Sequence, residues 1–173
     1  MLCMGLAITG SMMANSLEAE KEKTETLKKA SVFLNPTKGN KAHGIVSFTE
    51  VDGGGIQIIA DVEGLAPGKH GFHIHEFGDC SAPDGSSAGG HFNPTGTPHG
   101  SPDHAERHAG DLGNIVADEN GRGHYERLDK VIKLSGPHTI MGRSLVVHSN
   151  ADDYSTQPTG NAGGRICCGV IMD

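Results

Sequence analysis

Between Ile56 and Glu63, Ile56, Ile58, Ala60 and Val62 alternate with the polar Gln57, Asp61 and Glu63. A two-residue period puts one set on each face of an extended strand. Asp52-Gly53-Gly54-Gly55 stands just before it, a hairpin turn that joins it to Gly44–Val51, which carries Ile45, Val46, Phe48 and Val51. The same grammar recurs along the chain. Ala30–Asn35 is an apolar run stopped by Pro36, and His70–Phe77 follows the turn Pro67-Gly68. Asp111–Ala117 pairs naturally with Arg122–Val131 across Asp118-Glu119-Asn120-Gly121, and Ser144–His148 and Arg165–Ile171 complete the set. No window has a helical period. Eight short strands with frequent turns predict an all-β fold, an eight-stranded antiparallel Greek-key sandwich or barrel of immunoglobulin-like kind. Composition agrees: with 26 Gly, no Trp, 2 Tyr and 5 Phe, the core has little bulk and the chain many turns. Its 173 residues are one domain's worth.

Two stretches break the pattern, Gly78–Gly110 and Ser149–Gly164, both rich in Gly, Pro, Asp, Ser and Asn. Loops this long without secondary structure of their own are usually functional. The net charge of −7 argues against a basic nucleic-acid footprint.

Met1–Ala14 is apolar or small, too short to span a bilayer, and fits the apolar region of a secretory signal, although no Lys or Arg precedes it. Residues 1–19 are therefore expected to be a signal-like segment, cleaved after Ser16 or near Ala19. Residues 20–29, with the run KEKTETLKK, read as a charged linker, and 30–173 as the folded domain with no membrane span. A secreted, periplasmic or extracellular location follows, or a cytoplasmic one if the segment is no signal. Removal of the segment takes Cys3 and leaves Cys80, Cys167 and Cys168, enough for one bridge. Alternation in Arg165–Ile171 puts Cys168 with Ile166 and Val170, expected to be the core face, and points Cys167 the other way. Cys80–Cys168 is then the more natural buried bridge.

Histidine is the conspicuous surplus, at 11 residues, and it is the commonest metal ligand. His73 and His75 share one strand face, so two nitrogens can converge on one ion without bending the backbone. His91, His99, His104 and His108 lie in one loop, which ends at Asp111, and His148 ends the apolar run Leu145-Val146-Val147. Three imidazoles with a carboxylate would make a tetrahedral zinc site; an all-imidazole tetragonal set suits copper(II).

On these residues the chain resembles the copper–zinc superoxide dismutase family over essentially residues 30–173. Gly71-Phe72-His73-Ile74-His75-Glu76 resembles the family's copper-binding strand. Gly89-Gly90-His91-Phe92-Asn93-Pro94, His99-Gly100 and Arg107-His108-Ala109-Gly110-Asp111-Leu112-Gly113-Asn114 resemble its zinc loop. Leu145-Val146-Val147-His148 and Gly160–Ile171 resemble its C-terminal signatures.

The resemblance implies one copper per subunit on His73, His75, His91 and His148, and one zinc on His91, His99, His108 and Asp111, with His91 bridging. It implies a disulfide between Cys80 and Cys168. Asp152 would orient His73 and His99 by accepting their outer N–H groups. Arg165 would hold the substrate, superoxide, beside the copper, with Thr159 lining the channel. His104 competes for the zinc, but Gly100-Ser101-Pro102 speaks against the helix that would bring it to His108, so it is expected in solvent; His43, His70, His124 and His138 match no ligand position. Ser149–Gly164 contains no Lys or Arg, where many animal members have lysines. Attraction of an anion to a chain of net charge −7 therefore depends on the local field in a cleft, superoxide dismutase itself being a known case of such steering. Two other readings stay open: a copper-delivery or metal-binding protein without turnover, and a structural zinc protein of the cell envelope. Monomer and homodimer are both open.

Overall fold

The computed structural model describes residues 28–173; the signal-like segment and most of the charged linker lie outside the described residues. Eight strands form the fold: β1 (Lys29–Pro36), β2 (His43–Glu50), β3 (Ile56–Glu63), β4 (Gly68–His75), β5 (Asp111–Ala117), β6 (Gly123–Asp129), β7 (Ser144–His148) and β8 (Arg165–Val170). All eight expected strands are present. Lys29, expected in the linker, is the first residue of β1 and pairs with Thr49. Among the described residues the only helical piece is a 3₁₀ turn, Ser86–Ala88, and no helix is long and apolar enough to cross a membrane.

The strands close into an antiparallel barrel in the order β1-β2-β3-β6-β5-β4-β7-β8. The β3–β4 and β6–β7 connections each pass over two strands, which makes the connectivity Greek key. One expected pairing is smaller than its turn suggests. β5 and β6 meet only through Val116↔His124 and Ala117↔Gly123, while β6 follows β3 along its whole length.

Inside the barrel lie Val32, Leu34, Val46, Phe48, Ile58, Val62, Phe72, Ile74, Leu112, Ile115, Leu145 and Val147. The period of two that turns Phe72 and Ile74 inward sends His73 and His75 outward from β4, and the same period sends Val146 and His148 outward from β7. These outward histidines are nonetheless buried, because the two long loops fold over that wall. Gly71 marks the tightest point beneath them: a Cβ there would lie 2.7 Å from Ala162 and 3.0 Å from the His73 ring.

Cys80 and Cys168 form the disulfide, but the expected strand faces are reversed. Cys167 is the residue inside the barrel. Cys168 is on the outer wall, packed with Val146, Ala88 and Cys80. The register shifts between Val147 and His148, where β7 meets β8, so alternation counted from Arg165 is out of phase by the time it reaches the cysteines. The outer wall is itself covered by a loop, so burial there needs no core face.

Candidate metal centre

Two groups of donors stand side by side on the loop-covered wall. His73, His75, His91 and His148 form one, and His91, His99, His108 and Asp111 the other. Within each group the donor atoms all lie within 4.8 Å of one another, and every member is buried. The structure thus brings together every residue expected to bind metal, while His104 is exposed in the turn after Ser101.

Four rings, those of His73, His75, His99 and His148, engage their outer nitrogens. His73 Nε2 lies 2.8 Å from Asp152 Oδ2, and His99 Nε2 2.9 Å from Asp152 Oδ1. His75 Nδ1 donates to the Gly89 carbonyl at 3.0 Å, and His148 Nδ1 to that of Gly163 at 3.1 Å. A neutral imidazole carries one proton, so donation outward leaves a lone pair facing inward. Inward nitrogens are correspondingly orphaned: His73 Nδ1, His91 Nε2, His99 Nδ1 and His108 Nδ1 are buried with no hydrogen-bond partner. His75 Nε2 and His148 Nε2 face each other at 3.2 Å. Around Asp111 Oδ1 gather the Nδ1 atoms of His91, His99 and His108, at 2.8, 3.0 and 3.3 Å. The last two approach without hydrogen-bond geometry. Buried polar atoms seldom go unpaired, and lone pairs converging on one point are what a cation satisfies. Both donor sets fit metal ions. His91 belongs to both groups, with Nε2 toward one and Nδ1 toward the other.

Protonation in the metal-free state follows the surroundings. Burial, with the neighbouring rings adding to it, pushes His148 down to about 3 and His75 well below the usual range. Burial also pushes His91 down to about 4, against the pull of Asp111. His73 is lowered by burial despite its bond to Asp152. His99 goes the other way: burial opposes its charge, but Asp111 and Asp152 overcome it and raise the ring to about 9. Both carboxylates are held far below the usual range, their imidazole partners outweighing burial. Metal binds neutral rings beside ionised carboxylates, so His73, His75, His91 and His148 are already in the binding form, whereas His99 must release a proton as an ion enters.

Half-buried Arg165, the first residue of β8, lies beside the four-imidazole group. Its guanidinium donates to the carbonyls of Gly85 and Gly89, the latter shared with His75, and the rest of its five N–H donors stay free. Arg165 and Lys38 line one open surface depression, which Asp84 also borders. Thr159 is half-buried on the second loop and makes no hydrogen bond to Arg165.

A family model described as copper/zinc superoxide dismutase (SODC) matches residues 42–171. The chain belongs to this family. Among solved structures it is similar to one described as the clock protein EA4, at 44% sequence identity and a TM-score of 0.78, over 85% of this chain and 95% of that chain.

Four positions that hold the dismutase-family wall together carry no role in the sequence reading. Buried Arg107 donates to the carbonyls of His108, Ala109 and Asp111 at 3.0, 3.1 and 3.0 Å and pairs with buried Asp129. His70, set aside as an ordinary histidine, is buried, and its two nitrogens reach the carbonyls of His148 and Ala66, both at 2.8 Å. Asn114 grips the backbone of Asp152, accepting its N–H at 2.7 Å and donating to its carbonyl at 3.0 Å. Gln157 does the same to His99. Arg107 had a usable signal, a cation beside a candidate ligand. The other three act on backbone groups, which leave no pattern in the sequence.

Proposed function

We propose that the protein dismutates superoxide, two radical anions and two protons giving O₂ and H₂O₂, with copper on His73, His75, His91 and His148 and zinc on His91, His99, His108 and Asp111. One observation carries this reading: His91 turns one nitrogen to each donor group, with Arg165 on the same carbonyl as His75. The donor chemistry supports the assignment, since four imidazoles suit copper and three imidazoles with a carboxylate suit zinc. Bound copper supplies the one-electron exchange, and zinc, which has no redox chemistry, shapes the loop and the shared ring.

The chain's own groups do the rest. Arg165 holds the anion through charge-assisted hydrogen bonds. His91 Nε2 is the atom that can carry a proton to the departing peroxide. Outward bonds of His73, His75 and His148 keep their inner nitrogens aimed, and burial keeps bulk water from the rings. The similar structure is described as a clock protein, which names no enzymatic activity, so a metal-holding protein without turnover is the second reading. Retention of Arg165 together with a complete copper set argues for turnover.

Superoxide consumption by the purified protein, with metal analysis, decides between them. Activity that is lost on copper removal and restored on its return is expected; a copper-loaded protein without activity would overturn the proposal. Arg165→Glu should slow turnover about 10- to 100-fold, the worth of a hydrogen bond to a charged group, with both metals retained. Full activity in that variant would remove the anion-holding role. The disulfide fits an oxidising compartment, and secretion with loss of residues 1–19 is the matching proposal. Mass measurement of the mature N-terminus tests it.

A further inference from the structure

Gln157 stands in the second loop, outside every motif that carries the family resemblance. Its amide makes two bonds to one residue: Oε1 accepts the N–H of His99 at 2.8 Å, and Nε2 donates to the His99 carbonyl at 2.9 Å. A neighbouring β-strand makes this double exchange with a residue it pairs with. His99 lies in a loop and belongs to no strand, so a side chain supplies it instead.

The turn that presents Gln157 is itself tied down. Asp153 Oδ1 accepts the N–H groups of Ser155 and Thr156 at 2.9 and 2.8 Å. The Gly160 N–H donates to the Thr156 carbonyl at 2.7 Å, and the Asp153 N–H to that of Gly160 at 2.9 Å. Gln157 therefore reaches His99 from an ordered backbone, which lowers the entropy lost in making the two bonds. Gly160 presses on the same place. Its φ is +65°, and a Cβ there would lie 1.9 Å from Asp152 Oδ1 and 2.6 Å from His99 Nε2. With Asn114 on the backbone of Asp152, both ends of the Asp152–His99 bond carry an amide clamp.

The geometry points to Gln157 as a positioning residue for the zinc group, fixing the His99 backbone so that Nδ1 stays toward Asp111 and Nε2 on Asp152. This rests on reading His91, His99, His108 and Asp111 as zinc ligands. It adds a second hold on His99 from the loop that already supplies Asp152. Gln157 is exposed, so water competes for its amide, and the effect belongs near the lower end of the 10- to 100-fold that partners of metal ligands are worth.

The test is zinc affinity of the copper-free protein, by competition with a chromophoric chelator, alongside the visible absorption of Co²⁺ in place of zinc. Gln157→Ala should weaken zinc about tenfold and alter the tetrahedral Co²⁺ band. Gln157→Glu keeps the acceptor and loses the donor, so its affinity should fall between the two. Unchanged zinc affinity and an unchanged Co²⁺ spectrum in Gln157→Ala, even with a lower melting temperature, would overturn the inference, since Gln157 would then only brace its loop. If the alanine variant fails to fold, Gln157→Glu carries the same comparison. A wild-type protein that binds no zinc would overturn the ligand assignment first, and the inference with it.

Discussion

The two donor groups share His91 but are built by different means. Three of the four imidazoles in the first group stand on strands: His73 and His75 on β4, and His148 on β7. Backbone pairing of β4 with β7 sets their spacing before any side chain is considered. In the second group Asp111 is the sole member on a strand; His91, His99 and His108 come from the long loop. Backbone bonds to β4 hold the loop near His91 and Gly110, but the stretch that carries His99 and His108 is held largely by side chains: Arg107 on three carbonyls, Gln157 on His99, and Asp111 Oδ2 on the N–H groups of Gly100 and His108. Strand geometry comes with the barrel, whereas loop geometry depends on a network that single substitutions can cut.

Cutting it at Arg107 should have the largest effect. Arg107→Ala takes the nearer of two guanidinium groups from buried Asp129, leaving Arg127 at 3.6 Å, and should cost about 3 kcal/mol in urea unfolding, the low end for a broken buried pair. Zinc content should fall further than copper content. Equal loss of both metals would contradict the contrast between the groups.

Asp152→Asn touches one ring of each group, His73 and His99. An amide accepts from one ring but turns an N–H toward the other, so both metals should bind about 10- to 100-fold more weakly. Chelator competition should find the larger loss for zinc, because the strand pairing continues to hold His73.

Changes of pH sharpen the comparison in the metal-free protein. His91 and His148 have folded values of about 4 and 3, below the usual 6.5. The unfolded chain then binds more protons below pH 6.5, so stability from these rings is present above that value and is lost as pH falls toward 4. His99, raised to about 9, acts in the opposite sense: its contribution is complete below pH 6.5 and is lost as pH rises through 9. Urea midpoints should therefore be highest near pH 6.5 and decline on both sides. A profile flat from pH 4 to 9 would contradict the protonation states described. The smallest effect belongs to His104→Ala. That ring is exposed, and both stability, within about 0.5 kcal/mol, and zinc content should stay as they are.

Much of this was legible in the residues. Alternation at Ile56–Val62 and the turn before it specify β2 and β3, and His73-Ile74-His75 specifies a shared face for two donors. Both donor groups assemble from the residues expected. Legibility ends where burial has a second source. β4 is buried on both faces from His70 onward, one against the core and the other under the loops, so apolar alternation cannot tell which face is which. β8 has the same ambiguity with a register shift added, which is why Cys167 and Cys168 were expected on each other's faces. Asn114 and Gln157 stayed silent for a different reason. Their partners at the site are backbone groups of Asp152 and His99, and any sequence supplies those.

Cys167 and Cys168 offer a clock for the opening of the barrel. Cys168 is closed in a disulfide. Cys167 has no exposed surface, and burial pushes its thiol up to about 12, so the thiolate that alkylating reagents attack is scarce in the native protein. Among the described residues no other free thiol exists. Once Cys3 is absent or blocked, each alkylation at Cys167 records one excursion in which β8 parted from its neighbours. The labelling rate with and without metal would then measure how strongly ions on the outer wall keep the interior shut.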